Sequence, residues 1–197
     1  MRRIPLSLKL AYTAWLAVWV PVYWVHSGPQ NFFWLCDVAV FLVGLALWLE
    51  SPLLMSSQAA GVLFVQILWC GDFFGRLILG RHPIGGTEYM FDPAKPVYLR
   101  MFSLFHVAMP PLLLWAVRRL GYDRRGWWLQ AAITCVLLPA TWLAVDPAKN
   151  VNWVWKPFGQ PQELLSPPAY LIALLFLYPL LLFWPTHLAL SRWMKAK

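Results

Sequence analysis

Residues 32–71 read FFWLCDVAVFLVGLALWLESPLLMSSQAAGVLFVQILWCG, and this stretch decides the fold. Two apolar runs, 32–49 and 52–71, are separated only by the connection Glu50-Ser51. A helix needs about 20 apolar residues to cross a hydrocarbon core roughly 30 Å thick. Each run comes close to that length, and Pro52 stands where proline is best tolerated, in the first turn of a new helix. The stretch therefore reads as a hairpin of two transmembrane helices.

Further apolar runs lie on both sides of it. The run at 6–25 follows Arg2 and Arg3. It is long for the apolar part of a signal peptide, ends in Tyr and Trp, and has no small-x-small cleavage site before His26, so it reads as a retained span. Runs at 97–117, 127–145 and 168–190 complete the set. The expected fold class is all-α: one polytopic membrane helix bundle over residues 1–197, with six transmembrane helices and both termini cytoplasmic. Pro21, Pro110, Pro111, Pro139 and Pro179 fall within or near spans and predict kinks. Phe73–Leu79 reads as a short amphipathic piece lying in the interface.

Composition agrees. The chain is 60% hydrophobic and 12% charged, against about 45–50% and about 25% in soluble domains. Its 14 Trp lie mostly near span ends, where an aromatic belt meets the headgroups. The net charge of +8 is not a nucleic-acid signal, because the basic residues are scattered between apolar runs and form no basic domain. They do set an orientation. With the N-terminus inside, the inner segments carry Arg2, Arg3, Lys9, Arg118, Arg119, Arg124, Arg125, Arg192, Lys195 and Lys197. The outer ones carry Arg76, Arg81, Lys95, Arg100, Lys149 and Lys156. That is the positive-inside pattern, and the expected location is a bacterial inner membrane.

Polar groups inside a span are costly and are functional candidates by default. Cys36 and Asp37 stand one turn into the second span, His106 roughly 12 Å into the fourth at about 1.5 Å per residue, Gln66 at similar depth in the third, and Asp72 closes that third span. These groups are expected to converge in a cavity open to the outer leaflet. Cys36 would act as nucleophile and His106 as base, with Asp37 or Asp72 orienting the imidazole. Asn31, Asn150 or Asn152 would supply hydrogen bonds to an oxyanion, and Trp153 in the last outer loop would contact the substrate. Cys36, Cys70 and Cys135 match neither a metal motif nor a redox pair. His26, His106 and His187 stand at different depths, which disfavours haem. No cofactor or metal is expected.

The stretch Asn31-Phe32-Phe33-Trp34-Leu35-Cys36-Asp37 resembles the Leu-Cys-Asp segment of the YwaF-type integral membrane proteins. These are related to the androgen-induced-gene proteins, multi-pass lipid hydrolases and acyltransferases. Asn150-Val151-Asn152-Trp153, Lys156-Pro157 and Pro167-Pro168-Ala169-Tyr170 are similar to the C-terminal half of that family. The resemblance covers residues 26–185 and implies catalytic roles for Cys36 and His106 on a membrane lipid ester. Two other functions fit the composition: a non-catalytic subunit or scaffold packing on partner membrane proteins, and a small transporter.

Overall fold

The backbone of a chain immersed in lipid must satisfy its own polar groups, which favours helices over every open alternative. The computed structural model describes residues 3–195, so Arg2 and Lys197 of the charge tally lie outside the described residues. Within them every regular element is helical. Helix α1 is Leu6–Ser27, followed by a 3-10 turn at Pro29–Phe33. Helix α2 is Leu35–Leu49 and α3 is Pro52–Leu79. Helices α4 (Val97–Phe102) and α5 (Phe105–Leu120) form one interrupted stretch. Helix α6 is Gly126–Ala144. Helices α7 (Pro167–Leu177) and α8 (Trp184–Lys195) are joined by a π-helical turn at Tyr178–Phe183.

Five stretches are long and apolar enough to cross a membrane: Leu6–Ser27, Pro52–Leu79, Val97–Leu120, Gly126–Ala144 and Pro167–Met194. The chain is an all-helical, multi-pass membrane protein. The run expected at 32–49 is shorter than the rest, because the 3-10 turn takes its first residues and leaves α2 only 15 residues. The run expected to end at residue 71 instead continues to Leu79. Phe73–Leu79 forms the last two turns of α3 rather than a separate interfacial piece, and Gly80 closes the helix in the left-handed region at φ 70°. Helical bonding runs on through Pro21, Pro110, Pro111 and Pro139. At Pro179 it widens into the π turn, where the Trp184 N–H reaches back to the Pro179 carbonyl.

Contacts gather Arg3, Lys9, Arg118 and Arg119 at one end of the bundle. Arg119 Nε donates to the Arg3 carbonyl at 2.7 Å, and the Arg118 guanidinium stacks 3.8 Å from the Trp193 ring centre. Lys9 Nζ donates to Glu50 Oε1 at 2.7 Å, and the Ile4 N–H donates to the same oxygen at 3.2 Å. The start of α1, the α2–α3 turn, the α5–α6 turn and the end of α8 thus share what we term the basic end. The loops at 28–34, 80–96 and 145–166 share the opposite, loop-rich end: Gln30 Nε2 donates to the Ala144 carbonyl and Lys149 Nζ to the Ser27 carbonyl.

Glu50 also predicts a response to acid. It is the C-cap of α2, in the left-handed region at φ 52°. The hydrogen bond from Lys9, more than any other influence, holds its carboxyl below the ordinary value of 4.5. A depressed carboxyl contributes stability that is full above its unfolded value and is lost as pH falls through the folded one. Stability in detergent, followed by helical signal against pH, is expected to fall in wild type on acidification below that ordinary value. In Glu50→Gln this component is expected to be missing; identical profiles for the two proteins rule it out.

Helix α3 is the hub, packing on α2, α5, α6 and α8. Its first half meets α6 through small and polar residues, the membrane alternative to a hydrophobic seam. Gln58 Nε2 donates to Gln130 Oε1 at 3.2 Å and to Ser57 Oγ at 2.9 Å, and Ser56 Oγ accepts from the Asp123 N–H at 2.9 Å. Close approach depends on two glycines. A Cβ on Gly61 would lie 2.4 Å from the Gln130 side chain, and one on Gly126 would lie 2.7 Å from the Ser56 backbone.

Candidate functional site

The loop-rich half of the bundle concentrates the polar groups that the sequence singles out, but it pairs them differently. Asn31 leaves the 3-10 turn and donates from Nδ2 to Asp37 Oδ2 at 2.7 Å, holding that buried carboxylate in the first turn of α2. Cys36 stands about 100° round the same helix, near the Tyr178 phenol.

His106 lies on α5, with its ring 4.6 Å from Trp69 and 4.0 Å from Phe105, centre to centre. Its carbonyl accepts from the Cys70 thiol at 3.4 Å. Its Nδ1 is buried and has no hydrogen-bond partner among the described residues. The expected Cys36–His106 pair is therefore not joined by a hydrogen bond: the thiol and the imidazole have different helix neighbours. Neither Asp37 nor Asp72 orients the imidazole through Nδ1.

Asp72 has a different task. Its fully buried carboxylate accepts from the Ile84 and Gly85 N–H groups at 2.8 Å each, from the Thr87 N–H at 3.3 Å, from the Thr87 hydroxyl, and faces His82 Nδ1 at 3.0 Å. The loop after α3 is folded back over the helix end by this one side chain. Gly85, at φ 94°, supplies the turn that aims successive N–H groups at it. Gly75 gives the returning loop room, since a Cβ there would lie 2.5 Å from Pro83.

The expected oxyanion donors are likewise committed. Asn152 Oδ1 accepts from the Leu35 N–H at 2.8 Å, and its Nδ2 donates to the Phe33 carbonyl at 2.7 Å and to Thr141 Oγ1 at 3.3 Å. Asn150 closes its own loop: Oδ1 accepts from the N–H groups of Trp155 and Lys156, and Nδ2 donates to the Lys156 carbonyl. These asparagines pair the irregular backbone of the loop with protein groups. Trp153 packs its ring on Trp34 and Phe158.

The contacts instead close a circuit that sequence reading missed. Trp19 packs on Phe105 at 6.0 Å, Phe105 on His106, and His106 on Trp69. Trp69 Nε1 donates to the Tyr89 hydroxyl at 3.3 Å. Burial pushes the Tyr89 phenol well above its ordinary range, and the nearby Tyr23 and Asp37 push it further, against hydrogen bonding with Ser103 and Trp69. Tyr23 and Ser103 share a hydrogen bond of 2.8 Å, and Tyr23 returns to Trp19 at 4.7 Å between ring centres. Gln66 stands one turn along α3 from Trp69 and Cys70, on the same side of the helix. It is 0% exposed, and neither atom of its amide has a partner among the described residues; the Trp19 Nε1 is equally buried and without a partner among them. Tyr and Ser inside spans were the available signal, obscured because both are common at membrane interfaces.

Two cavities open in the structure; Phe105 of this circuit lines the second, and Gln66 lines neither. One, of about 480 Å³, lies at the loop-rich end and is lined by His26, Ser27, Asn31, Trp34, Lys95 and Lys149 among others. The second, of about 350 Å³, is an apolar groove where α1 faces α4 and α5, with Tyr12, Trp15, Met101, Phe105 and Ala108 in its walls. No group of three or more His, Cys, Asp or Glu able to hold a metal ion occurs among the described residues. No family model, no curated protein and no solved structure matches the chain.

Proposed function

We propose that this protein is a six-span membrane protein with both termini cytoplasmic that binds the polar part of a membrane lipid in the outer half of its bundle. Arg3 and Trp193 lie at the same end, which supports an even number of crossings, with α2 counted as the sixth. The excess of Lys and Arg at that end supports placing it in the cytoplasm, and a bacterial inner membrane suits the pattern. The observation that carries the binding reading is Gln66. A buried amide with neither atom paired costs about 1–3 kcal/mol for each unsatisfied group. Here it stands one turn along α3 from Trp69, whose ring meets His106, and His106 and Trp19 each carry a buried ring nitrogen with no partner among the described residues. Lipid headgroups supply both donors and acceptors.

Phospholipid retained by the purified protein after detergent washing, counted by mass spectrometry, tests this. Wild type is expected to keep about one lipid per chain, and Gln66→Leu to lose it at least 5-fold while its helical signal is unchanged. Equal retention by the two proteins defeats the proposal.

Thiol chemistry on the bound lipid is the second reading, favoured by the unpaired Nδ1 of His106, as a base requires. It needs Cys36 and His106 to come together from their different neighbours. Cys36→Ser is expected to retain lipid as wild type does. An acyl adduct on Cys36, found by intact-mass measurement and absent from His106→Phe, establishes the enzyme instead.

A further inference from the structure

The two cavities divide the ligand's chemistry between them, and, resting on the lipid-binding reading above, we infer that the bound lipid is anionic. Its charged headgroup sits at Lys95 and Lys149, and one of its chains lies along the α1–α5 groove.

The mouth at the loop-rich end is cationic by construction. Lys95 comes from the loop before α4 and Lys149 from the loop after α6, yet both line the same cavity. Neither forms an ion pair; the described salt bridges are Lys9–Glu50, His82–Asp72 and Arg125–Asp123. No carboxylate is among the lining residues. The acidic side chains nearest in sequence are engaged by backbone donors, Asp92 accepting from the Ala94 N–H and Asp146 from the Ala148 N–H, and Asp37 stands behind Asn31, which donates to it. Lys149 is aimed by a hydrogen bond of 3.3 Å to the Ser27 carbonyl, which uses only one of its three donors. Lys95 is held 5.9 Å from the centre of the Tyr89 ring. Two like charges brought to one concavity repel, and an anion between them reverses the sign of that interaction. Asn31 and Trp34 line the same space, adding an amide and an indole suited to the headgroup level.

The groove completes the match. Helices α1 and α4 wall both cavities, His26 and Leu99 at the mouth and Trp15 and Met101 in the groove. Along α1 the step from His26 to Trp15 is 11 residues, about 16 Å at 1.5 Å per residue. That is about half of a hydrocarbon core of roughly 30 Å, the depth reached by an acyl chain whose headgroup occupies the mouth. The groove is lined by Tyr12, Met101, Phe105, Ala108 and Leu112, with no charged side chain. A soluble anion would use the mouth alone, and a zwitterionic lipid would use the groove while leaving the lysines partly compensated by its own cation.

The test is binding by the full-length protein in detergent, read by native mass spectrometry with dioleoyl phosphatidylglycerol, dioleoyl phosphatidylcholine and inorganic phosphate as separate probes. The expected result is at least 10-fold tighter binding of the phosphatidylglycerol than of the phosphatidylcholine. Lys95→Gln/Lys149→Gln is expected to remove that preference without weakening phosphatidylcholine, while Lys95→Arg/Lys149→Arg keeps it. Ala108→Trp, which fills the groove, is expected to weaken both lipids. Equal binding of the two lipids by wild type overturns the anionic inference and leaves lipid binding standing. Binding of neither overturns the parent reading as well. Phosphate competing as effectively as phosphatidylglycerol assigns the mouth to a soluble anion and overturns the inference.

Discussion

Replacing Asp72 with alanine is expected to release the whole turn at residues 80–91 and to cost about 3–4 kcal/mol. The figure follows from the hydrogen bonds lost, each to a charged acceptor worth about 1.5–3 kcal/mol, offset where the freed N–H groups reach water. Three of the donors are backbone N–H groups, those of Ile84, Gly85 and Thr87, and Thr87 adds its hydroxyl. The substitution therefore removes the reason for the loop's shape rather than one contact within it. The readout is local as well as global. Arg81 is exposed in this loop, and trypsin is expected to cut after it several-fold faster in Asp72→Ala than in wild type. Asp72→Asn, which keeps one acceptor oxygen, is expected to fall between the two. An unchanged digestion rate in Asp72→Ala would show that the loop holds its form without the carboxylate.

Gly126→Ala is expected to destabilise the bundle by about 3 kcal/mol, the upper part of the range for forcing an extra methyl into a packed interior. The methyl would sit 2.7 Å from the Ser56 carbonyl carbon and Cβ and 2.8 Å from the Ser57 N. A backbone cannot step aside as a side chain can, so α6 must move off α3 and strain the Asp123 to Ser56 hydrogen bond. Gly61→Ala makes the contrast. Its methyl meets only the side chain of Gln130, and Gln130→Ala is expected to restore most of the loss. Unfolding in detergent gives all four values, and the pair forms a double-mutant cycle. Equal costs at Gly61 and Gly126, with no rescue at Gly61, would show that backbone contact is not what distinguishes the two sites.

Much of the architecture was legible because hydrophobicity is a property of runs. The apolar runs around α1, α3, α5 and α6 and the hairpin at Glu50-Ser51 follow from composition and proline placement alone. Where the reading failed, the neighbour decided. Helix α3 outlasts residue 71 because Asp72 and Gly75 receive the returning loop, a contact no window of sequence contains. Helix α2 begins late because residues 29–33 are held in a 3-10 turn against the Asn152 loop. The candidate site was legible in depth but not in direction. Counting residues places Cys36, Gln66 and His106 within a few turns of the same level. It does not give the angle around each helix, and that angle sends Cys36 toward Tyr178 and His106 toward Trp69. Sequence alone offers Asn150 and Asn152 as donors to a substrate, because no window of it contains the irregular backbone that engages them.

The brevity of α2 has a consequence for the surrounding bilayer. Fifteen residues rise about 22 Å, and Phe41, Leu45, Trp48 and Leu49 expose this short wall to lipid. A hydrocarbon layer roughly 30 Å thick overhangs it by about 8 Å, whereas α3 beside it, with 28 residues, is long enough at about 42 Å. Lipids along the α2 flank answer such hydrophobic mismatch by compressing, at a fraction of a kcal/mol per Å. With α2 as the proposed sixth crossing, the bilayer is expected to dimple along this flank, drawing headgroups toward the level at which α2 begins. Thin membranes would relieve that compression, so this flank is expected to respond to the chain length of the host lipid.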